Sequence, residues 1–207
     1  MGEPVYKNKR YTWSDYQELP DDERWEIIGG EIFDMSPAPT TRHQCIAGEL
    51  VFQLKSFFKG KSCKPFIAPT DLKLSDEDVV QPDLMVVCDE TQITESHVEG
   101  APALVVEIFS PSTLGHDRKR KMALYARTGV KEVWLVSPIP PGIEVFLLDG
   151  ATFRFMGMYH LADDFRSPSF GELELDLKAV FDFPPDPEDP VYVVKEGGVE
   201  YRVKYDT

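Results

Sequence analysis

Residues 103–110 read Ala103-Leu104-Val105-Val106-Glu107-Ile108-Phe109-Ser110. Alternate residues of a strand point to opposite faces. Here both sets, Leu104/Val106/Ile108 and Val105/Phe109, are apolar. A strand of that kind is covered on both sides, as a central strand of a layered α/β protein is. Glu107 interrupts the pattern. A lone carboxylate there costs several kcal/mol or takes up a proton, unless a cation or a donor compensates it. A buried ion pair would satisfy it. Catalytic and metal sites also retain such charges.

Working outward, Pro111 closes this strand and residues 117–128 predict a helix ended by Gly129. Strands are expected at 131–137, 143–148 and 153–160. On the N-terminal side, Ile46, Ala47, Leu50, Leu54, Phe57 and Phe58 recur at helical spacing and predict a helix over 42–59, ended by Gly60. Strands follow at about 66–74 and 79–88. Residues 12–19 suggest a short helix capped by Thr12 or Ser14. Residues 24–35 suggest a hairpin turning at Gly29-Gly30, after which Pro37 and Pro39 break the chain. A short helix near 177–181, the linker PPDPEDP and a hairpin turning at Gly197-Gly198 complete the order. The expected architecture is one α/β domain over 1–184, with a mixed central sheet flanked by helices. Residues 185–207 form an acidic, proline-rich linker and a C-terminal hairpin.

Four further residues stand out. Asp83, in Val79-Val80-Gln81-Pro82-Asp83-Leu84, also interrupts an apolar strand. Pro82, which cannot donate to a ladder, marks a strand entrance, edge or bulge. Two carboxylates on neighbouring strands make a hard, oxygen-rich site suited to Mg²⁺ or Mn²⁺. On a helical wheel Lys121 falls between Leu124 and Tyr125, on the side that faces the sheet. It can serve as a point charge for a phosphate, or simply pair with Asp117 one turn away. His43 lies at the centre of the first helix's apolar stripe and Glu49 nearly opposite it. His43 is either a hydrogen-bonded core residue or an acid/base group. Glu26, in the first hairpin, is a candidate about which spacing alone says little.

The 207 residues carry 22 Lys plus Arg and 36 Asp plus Glu, for a formal charge of −14. Residues 161–207 hold 12 of the acids and 5 of the bases, so half the deficit sits in the last quarter. A global basic footprint for nucleic acid is absent. Two local clusters remain: Lys55, Lys59, Lys61 and Lys64, and Arg118, Lys119, Arg120 and Lys121. They are either solvated helix faces or local phosphate contacts. No apolar run reaches the ~18 residues of a membrane helix, and the N-terminus lacks a secretory pattern. Cys45, Cys63 and Cys88 show neither a pairwise framework nor a zinc spacing, as in a protein of the reducing cytoplasm.

Taken in order, WEIIGGEIFDMSPAP, RHQCIAGEL, QPDLMVV, LVVEIFSPST and DRKRKMALYARTGVKEVWLVSP resemble the Uma-type restriction-endonuclease family of the PD-(D/E)xK nuclease superfamily, over about residues 12–150. The resemblance implies a restriction-endonuclease-like core. It implies Asp83 as the PD acid and Glu107 as the second acid, both metal ligands, with the Ile108 carbonyl as a further ligand. The motif lysine would stand at position 109, where this chain has Phe109. In the family the lysine is displaced onto the following helix, where Lys121 stands. His43 matches a histidine at the helix start, while Glu26 and Glu31 receive no role. The resemblance further implies Mg²⁺- or Mn²⁺-assisted hydrolysis of DNA phosphodiesters by a homodimer. A catalytically silent binding or regulatory module, and a hydrolase of small phosphodiesters, are the alternatives. The terminal hairpin would dock on the core or pair with a second copy.

Overall fold

The computed structural model describes residues 9–20, 23–35, 38–109, 116–184, 192–196 and 199–203. In chain order the first elements are helix α1 (Trp13–Tyr16), strands β1 (Trp25–Ile28) and β2 (Glu31–Asp34), and helix α2 (Thr41–Phe58). Then come β3 (Lys64–Ile67), β4 (Asp71–Ser75), β5 (Asp78–Val80), β6 (Leu84–Val87), β7 (His97–Glu99) and β8 (Leu104–Ile108). Helix α3 (His116–Thr128) leads to β9 (Glu132–Pro138), β10 (Pro141–Asp149) and β11 (Thr152–Tyr159). Strands β12 (Phe165–Arg166) and β13 (Glu174–Leu175), helix α4 (Leu177–Val180), and strands β14 (Tyr192–Glu196) and β15 (Val199–Val203) follow.

The mixed central sheet is present, six strands in the order β11-β10-β9-β8-β6-β3. β8 lies inside it, parallel to β9 and antiparallel to β6. Its alternation divides the core. Leu104, Val106 and Ile108 pack with Ile46, Leu50 and Leu54 of α2. Val105 and Phe109 pack on the other side with Leu124 and Tyr125 of α3. Burying each leucine of α2 contributes about 1.5–3 kcal/mol, which is what seats that helix on the sheet.

A second layer was not expected from the sequence. Five short strands form another sheet, β2-β1-β5-β4-β7, and its Ile28, Phe33, Leu72, Val80 and Val98 share the α3-side core. The strands expected at 66–74 and 79–88 are therefore each broken in two. The chain leaves the central sheet between β3 and β4, around Pro69. It returns between β5 and β6, at Gln81-Pro82-Asp83. A proline has no N–H for a ladder, so each sits where pairing must stop.

The hairpin over 24–35 is confirmed, with Gly29 at φ +60° and Gly30 at φ +77°, the double left-handed turn that favours glycine. Thr12 caps α1 and Thr40 caps α2. The cysteine reading needs correction. Cys63 and Cys88 form a disulfide, while Cys45 is free and exposed. The two stand opposite each other one step beyond the Lys64↔Val87 pair, so the register of β3 on β6 brings them together. Pro37, Pro111, most of the PPDPEDP linker and the Gly197-Gly198 turn lie outside the described residues. β14 and β15 pair with each other. Among the described residues no helix is long and apolar enough to cross a membrane.

Candidate active site

Glu107 points from β8 toward α3, into the layer between the two sheets. Its Oε1 and Oε2 lie 3.1 and 3.2 Å from Nζ of Lys121, and Tyr125 Oη donates to Oε1 at 2.5 Å. Lys121 and Tyr125 are one turn apart on α3, so a single helix face delivers both. The ammonium of Lys121 also lies 3.0 Å from Oε1 of Glu26, on β1 of the second sheet. All three charged side chains are at most 6% exposed. The backbone N–H of Gln81 donates to the same Glu26 oxygen at 3.0 Å.

Asp83 stands at the entrance of β6, one step beyond the Leu84↔Val106 pair and so opposite Glu107. Its Oδ2 accepts the backbone N–H of Ile108 at 2.7 Å, and its Oδ1 lies 3.1 Å from Nε2 of His43. His43 comes from the first turn of α2, where the Thr40 hydroxyl accepts its backbone N–H. Asp83 and His43 remain partly open, at 19% and 15% exposure, at the end of the strands. The N–H and C=O of a strand residue point the same way. The Ile108 carbonyl therefore faces the Asp83 side.

The electrostatics follow from this crowding. Burial pushes the Glu107 carboxyl up, to about 8. Lys121 pulls it back, the charges of Asp83 and Glu26 push it up again, and the Tyr125 hydroxyl pulls it down. Three carboxylates and one ammonium share the site.

The structure thus brings together Asp83, Glu107, Lys121 and His43, and adds Glu26 and Tyr125. Glu31 lies exposed on β2, away from this cluster. The side chain of Asp117 lies outside the described residues; Lys121 is engaged by Glu107 and Glu26. Glu49 is not fully solvated; it accepts from Gln53 Nε2 at 2.9 Å. Tyr125 could have been picked from its spacing to Lys121. Glu26 was a candidate without a role, because only the long-range pairing of β1 with β5 places it here.

Comparison with known proteins fits this geometry. A family described as "Uma2: Putative restriction endonuclease" matches residues 13–178, which include all six of these residues. The chain belongs to that family. An uncharacterized protein of Synechocystis sp. (PCC 6803) is 29% identical over 145 residues, 69% of this chain and 68% of that one. The fold is similar to the crystal structure of a "putative nuclease belonging to DUF820" from Anabaena variabilis. That match has a TM-score of 0.66 and 21% identity, covering 82% of this chain and 97% of that one.

Within the Uma2 family frame, Phe109 is instructive. It shares the Glu107 face of β8, where a lysine would reach the acid, but it is buried in the α3-side core. Lys121 reaches the Glu107 carboxylate from the helix instead. Asp83 and Glu107 stand opposite each other on neighbouring strands and offer hard oxygen donors to one side of the site. Among the described residues no group of three or more acidic, histidine or cysteine side chains is arranged to hold a metal ion. Mg²⁺ is commonly held by one or two carboxylates with water and substrate phosphate completing its shell.

Proposed function

We propose that this Uma2 protein is a metal-dependent endonuclease acting on the phosphodiester bonds of DNA. The observation that carries the reading is the convergence of Asp83, Glu107 and Lys121 at one end of the central sheet, with Glu26 bracing the lysine. Asp83 and Glu107 would hold Mg²⁺ or Mn²⁺, with the Ile108 carbonyl beside them. Bound there, such a cation lowers the pKa of a coordinated water and offsets charge on the phosphate. The chain's own groups do the rest. Lys121 places a positive charge in a water-poor layer, where it counts most against developing negative charge. Glu26 and Tyr125 fix the positions of Lys121 and Glu107 before substrate arrives. His43 orients Asp83 through its Nε2.

The test is nicking of supercoiled DNA in Mg²⁺ and in Mn²⁺ by the parent, Asp83→Asn and Glu107→Gln, with melting temperatures taken alongside. Activity in the parent alone, with all three folded, is expected. Unfolding of both variants would make the carboxylates structural. Equal activity in all three would remove the site altogether. Homodimer formation, with the β14–β15 hairpin as a contact, is a second part of the proposal. Truncation at Pro185 that leaves the oligomeric state unchanged would exclude the hairpin.

A further inference from the structure

The two basic clusters of the sequence meet different fates. The α3 cluster is used by the protein itself. Arg118 pairs with Glu144, Arg120 stacks 3.9 Å above the Phe33 ring, and Lys121 enters the site. The cluster after α2 is not used in this way. Lys55, Lys59, Lys61 and Lys64 are all exposed, and none pairs with a described carboxylate. They line a cleft of about 440 Å³ together with Phe58, Cys63 and Pro65, and no acidic residue lines it. Lys61 is held in place with its ammonium 3.3 Å from the Phe57 ring centre.

The outward row of α2 leads to that cleft from the Asp83–His43 end. Gln44, Cys45, Gly48, Phe52, Lys55 and Lys59 are all exposed along it, and none is acidic, in a chain with 36 carboxylate side chains. Glu49, the helix's single acid, borders the row beside Cys45 and Phe52, but it is half-buried and bonded to Gln53. Phe52 stands in the middle of the row at 64% exposure, an apolar ring that nothing in the core needs. An exposed aromatic side chain beside lysines is how proteins hold single strands: bases stack on the ring, and phosphates meet the ammonium groups. Twelve residues separate His43 from Lys55, about 18 Å along the helix, a reach of several nucleotides.

We infer that the outer face of α2, with Phe52 as a stacking platform and Lys55, Lys59, Lys61 and Lys64 as phosphate contacts, is a track for a single nucleic-acid strand that starts at the Asp83–His43 end of the site, where the first turn of α2 meets the central sheet. This rests on the nuclease reading and deepens it by naming the strand form of the substrate. On an acidic protein, a row free of carboxylates is the path along which a polyanion is least repelled.

Binding of a fluorescent oligothymidylate, and of the matching duplex, is measured by anisotropy in EDTA over a salt series. The parent should prefer the single strand. Phe52→Ala should bind it about tenfold more weakly. Lys55→Gln/Lys59→Gln should flatten the slope of log affinity against log salt by about 1.4, since each phosphate that a lysine neutralises adds about 0.7. Both variants should keep the parent's mass, melting temperature and hydrolysis of a small chromogenic phosphodiester. Parent-like affinity and slope in both variants would overturn the track, as would preference for the duplex. A change of mass in Phe52→Ala would also overturn it, by making this face a protein contact. A parent that binds the strand through Phe52 but hydrolyses no diester would leave the track standing and remove the nuclease reading.

Discussion

Replacing Lys121 with methionine isolates the charge at the centre of the site. The ammonium lies 3.0 Å from Glu26 and 3.1 Å from Glu107, and all three side chains are at most 6% exposed. Methionine retains the apolar stem, so the loss is electrostatic. Removing one partner of a buried pair costs about 3–5 kcal/mol. In a chain of this size 1 kcal/mol moves the melting temperature by about 2–4 °C, so a fall of roughly 6–20 °C is expected at pH 7. The pH dependence has a fixed sign. Glu107 already titrates at about 8, above its ordinary 4.5. A carboxyl raised in this way favours folding fully below its unfolded value, and that contribution is lost as pH rises through the folded value. Without Lys121 the folded value rises further. The deficit of the variant against the parent should therefore change little between pH 5 and pH 7 and grow as pH rises through about 8 toward pH 9. Adding Glu107→Gln should restore a large part of the stability that is lost above pH 8, where Glu107 would otherwise have to ionise without its partner. Metal-free thermal melts of the four proteins, across that range, test all of this. A Lys121→Met deficit under about 2 °C at pH 7, or one that does not change with pH, would show that the lysine does not compensate the carboxylates.

The Cys63–Cys88 bridge closes a loop of 25 residues. On chain-entropy grounds its removal costs about 3.5 kcal/mol. The double serine variant, or the reduced parent, should melt about 7–14 °C lower; an unchanged melting temperature would deny the bridge any role in stability. Asp78 is buried, which alone would raise its carboxyl, but Arg127, Ser75 and the Gly29 N–H bond it and hold it below its ordinary range. A lowered carboxyl favours folding above its unfolded value of about 3.8, and the contribution disappears as pH falls through the folded value. Arg127→Ala should thus be less stable than the parent at pH 7, with a deficit that shrinks as pH falls below about 3.8 in melts. A deficit that persists in acid would assign the arginine to packing instead.

What the sequence made legible was local. Glu107 was visible because a charge in a strand apolar on both faces has few explanations. Lys121 and His43 were visible because a helix fixes the direction of every side chain once its apolar stripe is known. Asp83 was marked by the proline before it. The second sheet was invisible because its strands are three to five residues long and pair across distances of up to about 50 residues, as Ile27 does with Val79. Glu26 went unassigned for the same reason, standing between Trp25 and Ile27 on a strand whose neighbour could not be named. The cysteine pair required the register of β3 on β6, which periodicity does not specify.

Gln81-Pro82-Asp83 is the crossing between the two sheets, and both ends of it are anchored at the site. The Gln81 side chain bonds Asp71 and Tyr16 on the second-sheet side and accepts from Arg24, while Asp83 bonds Ile108 on the central sheet. Glu26 belongs to one sheet and Glu107 to the other, with Lys121 clasped between them. The cluster is therefore a caliper set across the seam. Any tilt of one sheet against the other changes the gap between those two acids. By reciprocity, whatever grips the acids stiffens the seam. Protection of the β1 and β5 amides from hydrogen exchange would then rise with occupancy of a site that lies largely on the neighbouring sheet.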